Sequence, residues 1–356
     1  MPVLKTSASK MLFFLCVWCV WSLTACLPGG RSNRPMSEIA LGTLCTINLF
    51  DRGTPALYSM AFARLRELED IFSFHREDSD LNMVNQNAGI SPVRVNPELI
   101  EVLSIALEYA EKSNGHFDPS IGPLVRLWGI TSETPRVPDE EEILEALSLV
   151  NYRDIEIDRE KGTVFLKRRG MALDLGAIAK GYAADELARL LVRETVERGI
   201  IYLGGDIFAL GKRADGSYWR IGIQDPMNQR GSHFGLLELQ NKSVVTSGVY
   251  ENFFIVDEIR YHHILSTTTG RPVDNGLLSV AIMADNAIDA DALSTAAFAL
   301  GLELGLELIN QVPGAAGVFV SDDFSVRLSE GMEEYFTITS GAFMLSELSL
   351  CLSTTE

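Results

Sequence analysis

Asp291 and Thr295 stand four residues apart in Asp285-Asn-Ala-Ile-Asp-Ala-Asp-Ala-Leu-Ser-Thr295, at the start of a segment with helical spacing, so one helix face carries both. A carboxylate and a hydroxyl with no His or Cys beside them suit a hard cation such as Mg2+, which keeps waters and shares substrate phosphates. The same residues also suit a plain structural purpose, with Asp289 or Asp291 as an N-cap and Thr295 bonding back to a helix carbonyl. The second cluster is Met171-Ala-Leu-Asp-Leu-Gly-Ala-Ile-Ala-Lys-Gly-Tyr-Ala-Ala-Asp185, an apolar run that breaks at a carboxylate and a glycine. It predicts a strand over residues 171–173, a turn that aims backbone amides at an anion, and a helix striped by Ile178, Tyr182 and Leu187. The bland alternative makes Asp174 a helix cap and Gly176 a packing glycine.

Three shorter islands set polar residues into glycine turns. Gly115-His-Phe-Asp-Pro-Ser-Ile-Gly122 reads as a helix start with Asp118 as cap and Pro119 in the first position, or as a ring-stacking pocket with Phe117. Thr246-Ser-Gly-Val-Tyr250 suits a phosphate-contacting turn or an ordinary strand end. Tyr261-His-His-Ile-Leu265 places two of the five histidines side by side on a strand, where one at most can face a site.

The elements that must position these groups alternate without strict βαβ order. A first strand is expected over residues 42–50, then a helix over 55–72, a second over 97–112 between Asn96 and Asn114-Gly115, and a third over 139–150. Paired strands follow at 155–157 and 163–167, with a strand at 199–207 after the central helix. Further strands are expected at 219–223, 235–239, 253–256, 279–284, 317–320 and 336–339, and a last helix at 290–310. Residues 343–353 form an apolar tail. The pattern predicts an α+β fold of mixed, mainly antiparallel sheets with packed helices, not a doubly wound sheet.

The chain of 356 residues is 47% hydrophobic and 22% charged, enough for a substantial core and against disorder as its theme. Residues 1–25 differ: Lys5 and Lys10 precede an apolar run over 11–21, and Leu23-Thr-Ala-Cys26 closes it with small residues before a cysteine. That run is too short for a permanent span, which needs about 20 residues. The tetrapeptide resembles a bacterial lipobox, which makes Cys26 the lipidated first residue of the exported protein and residues 26–35 a tether. Cys45 and Cys351 then remain, either as one bridge or as free buried thiols. The net charge of −18 becomes two units more negative without Lys5 and Lys10, which disfavours nucleic acid as a partner.

Taken in order, these islands resemble the FAD:protein FMN transferase family, also called the thiamine-biosynthesis lipoprotein or flavin-trafficking family. The strings that carry the resemblance are Leu41-Gly-Thr43, Gly115-His-Phe-Asp-Pro119, Leu173-Asp-Leu-Gly-Ala-Ile-Ala-Lys-Gly-Tyr182, Gly204-Gly-Asp206, Gln224-Asp-Pro226, Thr246-Ser-Gly248, His263-Ile264 and Ala290-Asp-Ala-Leu-Ser-Thr295. They run from Leu41 to Thr295 and so cover nearly the whole of residues 36–356, the domain expected after the tether. The resemblance implies that Ala177, through its backbone oxygen, Asp291 and Thr295 hold Mg2+ on the diphosphate of FAD. It implies flavin or adenosine contacts from Leu41, His116, Phe117, Asp118, Asp174, Lys180 and Ile264, and proton transfer by His263, with Asp291 counted among the catalytic residues. Leu41 stands where many members have Met, Lys180 where some have an acid, and Ser266-Thr-Thr-Thr-Gly270 replaces an Asp-Pro turn.

The activity so implied is Mg2+-dependent cleavage of FAD, with FMN passed to a Ser or Thr hydroxyl of exported redox proteins and AMP released, or with water giving FMN and AMP. The implied location is the bacterial inner membrane, facing the periplasm. The alternative is a flavin-binding lipoprotein that delivers FAD without cutting it, for which a metal at the diphosphate has no use.

Overall fold

The computed structural model describes residues 34–346. The predicted export signal, Cys26, residues 26–33 of the tether, Cys351 and residues 347–353 of the apolar tail lie outside the described residues. The chain runs β1 (Met36–Ala40), β2 (Thr43–Leu49), α1 (Pro55–Phe72), α2 (Asp80–Gln86), β3 (Val93–Arg94), α3 (Pro97–Lys112), α4 (Gly122–Trp128), α5 (Glu140–Leu147), β4 (Ile155–Asp158), β5 (Thr163–Leu166) and α6 (Ala179–Arg193). It continues with β6 (Gly199–Leu203), β7 (Asp206–Leu210), β8 (Trp219–Gln224), β9 (His233–Leu239), β10 (Lys242–Gly248), β11 (Phe253–Val256), β12 (Ile259–His262) and β13 (Leu277–Ala284). The end is α7 (Ala287–Leu300), α8 (Leu302–Asn310), β14 (Ala316–Ser321), β15 (Ser325–Leu328), β16 (Phe336–Ile338) and β17 (Met344–Leu345). The fold is α+β with mainly antiparallel sheets, as the pattern predicts.

A nine-stranded sheet in the order β1-β2-β6-β7-β10-β13-β14-β15-β17 forms the middle layer; β15 and β17 pair in parallel. Side chains of its strands alternate between two cores, as the period of two requires. Val245, Val280, Ile282 and Phe319 join the larger core under the helices, while Val244, Ala281, Met283, Val318 and Val320 join a second core. That second core is roofed by the small sheet β16-β9-β8 through Trp219, Phe234, Leu237 and Leu239. Burial on both faces explains why β13 reads as a continuous apolar run rather than an alternating one.

Local chemistry sets the best-defined boundaries. Helix α1 starts at Pro55 because Thr54 Oγ1 accepts the Leu57 amide, and α3 starts at Pro97 because Asn96 Oδ1 accepts the Glu98 amide at 2.9 Å. Helix α3 ends where Asn114 and Gly115 take positive φ.

Four expectations need correction. Residues 171–173 are extended but make only one bridge, Ala172 to Ile121; the Asn85 side chain takes both backbone groups of Leu173 at 2.6 and 3.0 Å in place of a strand neighbour. Asp118 starts no helix, since α4 begins at Gly122; its carboxylate instead holds the Ser120 amide and hydroxyl and the Tyr152 amide. The predicted 290–310 helix begins at Ala287 and breaks at Gly301, whose φ is +84°. Strand β10, central in the sheet, was expected only as a possible strand end.

Helix α7 is apolar on nearly every side and buried accordingly, from Ala287 through Phe298. A carboxylate on such a helix must find partners. Cys45 is buried, and burial raises its thiol to about 11 despite the Ala40 carbonyl it bonds, so it remains a protonated core side chain.

Candidate active site

A cavity of about 1060 Å³ opens between the helical layer and the loops of the sheet. Every candidate residue within the described chain lines it: Leu41 from the β1–β2 turn, His116, Phe117 and Asp118 from the loop before α4, and Asp174 and Ala177 before α6. Lys180 from the first turn of α6, His263 and Ile264 after β12, and Asp291 and Thr295 from α7 complete the set. Residues as far apart in the chain as Leu41 and Thr295 thus share one cavity.

The polar centre is a shared ammonium. Lys180 Nζ lies 2.7 Å from Asp206 Oδ2 and 3.2 and 3.4 Å from the two oxygens of Asp291. Burial works against the Lys180 charge, but Asp206 and Asp291 together outweigh it and raise the amine above its ordinary range. Burial also raises the Asp206 carboxyl, the ammonium opposing and Asp291 adding to it. The two directions agree once one cation is seen to serve two buried carboxylates.

Asp291 is not an N-cap. The first amides of α7, from Ala287 and Ile288, are taken by the carboxylate of Asp185 on α6 at 2.7 and 3.0 Å, and Asp289 bonds Tyr109 and Asn286. Asp291 Oδ2 instead accepts the Gly181 amide of α6 at 2.9 Å. Thr295 does not stand alone either: its Oγ1 lies 3.3 Å from Ser247 Oγ, which also meets Ser294 at 2.8 Å, while Ser294 makes the back-bond to the Asp291 carbonyl.

The contact between α6 and α7 is close because position 181 is glycine. A Cβ there would sit 2.3 Å from the Ala287 carbonyl oxygen, a backbone atom that cannot swing away. Gly181→Ala should therefore lower stability by roughly 1–3 kcal/mol, even though Ala is about 1 kcal/mol the better helix former. Urea unfolding measures this, and a variant as stable as the parent would show that the helices can separate freely.

Asp174 is likewise not a helix cap. The N-cap position of α6 is Ile178, without a side-chain bond, and Asp174 Oδ1 accepts the Gly176 amide at 2.7 Å within the turn. Burial raises its carboxyl, with that amide, His75 and Arg126 opposing. His116 is held by the Ser113 carbonyl at 3.0 Å, and Phe117 is buried beside it.

The adjacent histidines divide as alternation requires. His262 turns inward, its Nε2 2.8 Å from the Val273 carbonyl oxygen. His263 faces the cavity, its amide bonded to the Asn252 carbonyl at 2.9 Å and its Nδ1 buried without a partner. Burial, then His262 and Lys180, push its imidazole down to about 4, so it is neutral at physiological pH.

Asp206, Ser247 and Tyr250 also line the cavity; the sequence marked their segments, residues 246–250 as a possible phosphate-contacting turn and residues 204–206 as part of the resemblance, but gave none of the three side chains a role of its own. The Gly-Gly pair before Asp206 was the available signal: Gly204 and Gly205 take φ of +61° and +119°, and a Cβ on Gly204 would meet the Thr43 hydroxyl at 2.3 Å.

Fold and cavity together place the chain among α+β domains whose main cleft joins a buried cation–carboxylate cluster to a row of backbone and hydroxyl oxygens. More particularly, the chain belongs to the ApbE family, whose model matches residues 41–319. A FAD:protein FMN transferase of Treponema pallidum is 37% identical over 337 residues, covering 89% of this chain and 93% of that protein. One from Klebsiella pneumoniae is 34% identical over 293 residues, covering 82% and 90%. Among solved structures, the ApbE protein of Thermotoga maritima superposes with a TM-score of 0.78 at 33% identity, covering 85% of this chain and 98% of that one. The flavin transferase ApbE of Vibrio cholerae gives 0.77 at 28% identity with the same coverage.

Proposed function

We propose that this chain cleaves the diphosphate of FAD and transfers FMN to a Ser or Thr hydroxyl of exported redox proteins, releasing AMP. The observation that carries the reading is the convergence of Lys180, Asp206, Asp291, Thr295 and His263 on one cavity, in a chain of this family. The donors offered by Asp291, Thr295 and the Ala177 carbonyl are all oxygen, and among the described residues no cluster of three His, Cys, Asp or Glu side chains competes with them. Such a set fits Mg2+, which is held by one or two carboxylates and takes its remaining ligands from water and phosphate. When bound there, the ion supplies neutralisation of the diphosphate charge.

The chain's own groups do the rest. Lys180 is placed to steady the phosphate that leaves with AMP. Neutral His263 accepts the proton of the acceptor hydroxyl as its oxygen bonds the FMN phosphorus and the phosphoanhydride P–O bond breaks, its electron pair leaving with AMP. With water in place of the hydroxyl, the products are FMN and AMP, so FAD hydrolysis belongs to the same site. Leu41, His116, Phe117, Asp118, Asp174 and Ile264 supply the walls for flavin and adenosine.

The test is to incubate residues 27–356 with FAD and Mg2+, with and without an exported redox protein as acceptor, and to assay AMP. Tight FAD binding with no AMP in either arm would establish a carrier instead of an enzyme.

We propose further that residues 1–25 are an export signal and that lipidated Cys26 ties domain 36–356 to the inner membrane, facing the periplasm. The support is the Leu-Thr-Ala-Cys string and its apolar lead. Among the described residues no helix is long and apolar enough to cross a membrane. Cys26→Ser should abolish lipid labelling of the protein and move it from the membrane fraction to the soluble one; unchanged labelling would refute the anchor.

A further inference from the structure

Tyr250 occupies a place that the reading above leaves without a purpose. Three residues before it, the Ser247 hydroxyl meets Ser294 and Thr295 of α7; two residues after it, the Asn252 carbonyl fixes the His263 amide. Along the chain Tyr250 therefore sits between the strand end that abuts the Asp291–Thr295 face and the residue that anchors His263, and its side chain lines the same cavity.

Its hydroxyl is buried with no partner in good hydrogen-bond geometry, the Ser279 hydroxyl being a weak contact at most, and the only other such atom among the cavity residues is Nδ1 of His263. A buried polar atom left unmet costs about 1–3 kcal/mol, and one that persists in a folded chain calls for a reason such as a catalytic part or a bound water or ion. The ring is also held in place. A Cβ at Gly248 would lie 2.7 Å from Tyr250 Cε1 and 3.1 Å from Cζ, so the phenol packs directly on bare backbone and its direction is set. Burial raises the phenol above its ordinary range, Glu251 adding to this and Arg230 opposing; the Ser279 hydroxyl has the smallest influence. The group is thus a neutral O–H donor at neutral pH.

We propose that the Tyr250 hydroxyl donates a hydrogen bond to a non-bridging oxygen of the phosphoryl group in transfer, between the diphosphate end of the cavity and His263. This rests on the FMN-transfer reading. Negative charge on the equatorial oxygens is stabilised by donors fixed in advance, which act without reorganisation as the bond changes proceed. A donor of this kind serves the transition state more than the bound substrate, so its removal lowers kcat and spares affinity.

The experiment compares the full chain with Tyr250→Phe in Mg2+ and FAD. It reads AMP release with water and with an exported redox protein as acceptor, FAD affinity by flavin fluorescence, and thermal unfolding. The expected result is a kcat about 10- to 100-fold lower, the range for a hydrogen bond to a charged group, with FAD affinity within about threefold and Tm unchanged. A kcat within threefold of the parent overturns the proposal. So does a fall in affinity as large as the fall in kcat, which would mark a ground-state contact, or a loss of Tm that accounts for the lost rate. A parent chain that releases no AMP instead refutes the transferase reading itself, an outcome separate from any difference between parent and variant.

Discussion

Asp291→Asn should lose Mg2+-dependent turnover by at least about 10³-fold, corresponding to roughly 4 kcal/mol of transition-state stabilisation. The substitution removes the one carboxylate among the three oxygen donors while keeping its shape. The Asn side-chain oxygen can still accept the Gly181 amide that Asp291 holds at 2.9 Å, and Lys180 keeps Asp206 at 2.7 Å. The fold therefore has little reason to weaken, and Tm should stay within a few degrees. FAD titrations with and without Mg2+ complete the measurement: the variant should bind FAD equally in both. Retained Mg2+ dependence would remove Asp291 from the metal site, and a large loss of Tm would return it to a purely structural part.

His263→Ala should slow FMN transfer by about 10²- to 10⁴-fold, the span of general acid–base catalysis, with FAD affinity nearly unchanged. The pH profile of the parent gives an independent reading. The working form of a base is the deprotonated one, and burial together with His262 and Lys180 holds His263 down at about 4. Activity should thus be full at neutral pH, persist as pH falls past the ordinary histidine range, and drop only as it approaches 4; kcat/KM reports this for the free enzyme. The variant should lack that limb. An acid limb near 6.5 in the parent would show a solvated imidazole and contradict the buried geometry.

Boundaries written in local chemistry were legible before any coordinates: Pro55 and Pro97 open helices, and Asn114-Gly115 closes one. What decides β10 is not local. Ser243, Thr246 and Ser247 dilute its apolar signal, yet it lies mid-sheet because those hydroxyls find distant partners, Ser243 on the Ile207 carbonyl and Ser247 on α7. The site divides in the same way. Asp291 with Thr295 one turn on reads either as a seat for a hard cation or as a plain cap, and its likeness to a known motif, together with Ala177, turned the reading toward chemistry. Asp206 and Tyr250 lay in marked segments yet had no part of their own, because their meaning depends on Lys180 and on the packing at Gly248.

Helices α6 and α7 each lend a carboxylate to the other's backbone: Asp185 to the amides of Ala287 and Ile288, and Asp291 to the amide of Gly181. Such an exchange makes the pair a single stiff jaw. Lys180, Asp291 and Thr295 stand on it, with Ala177 in the turn just before α6, so the spacing among them is set by the helix pair. That half of the cavity is therefore shaped by the helix pair itself and not by any one loop.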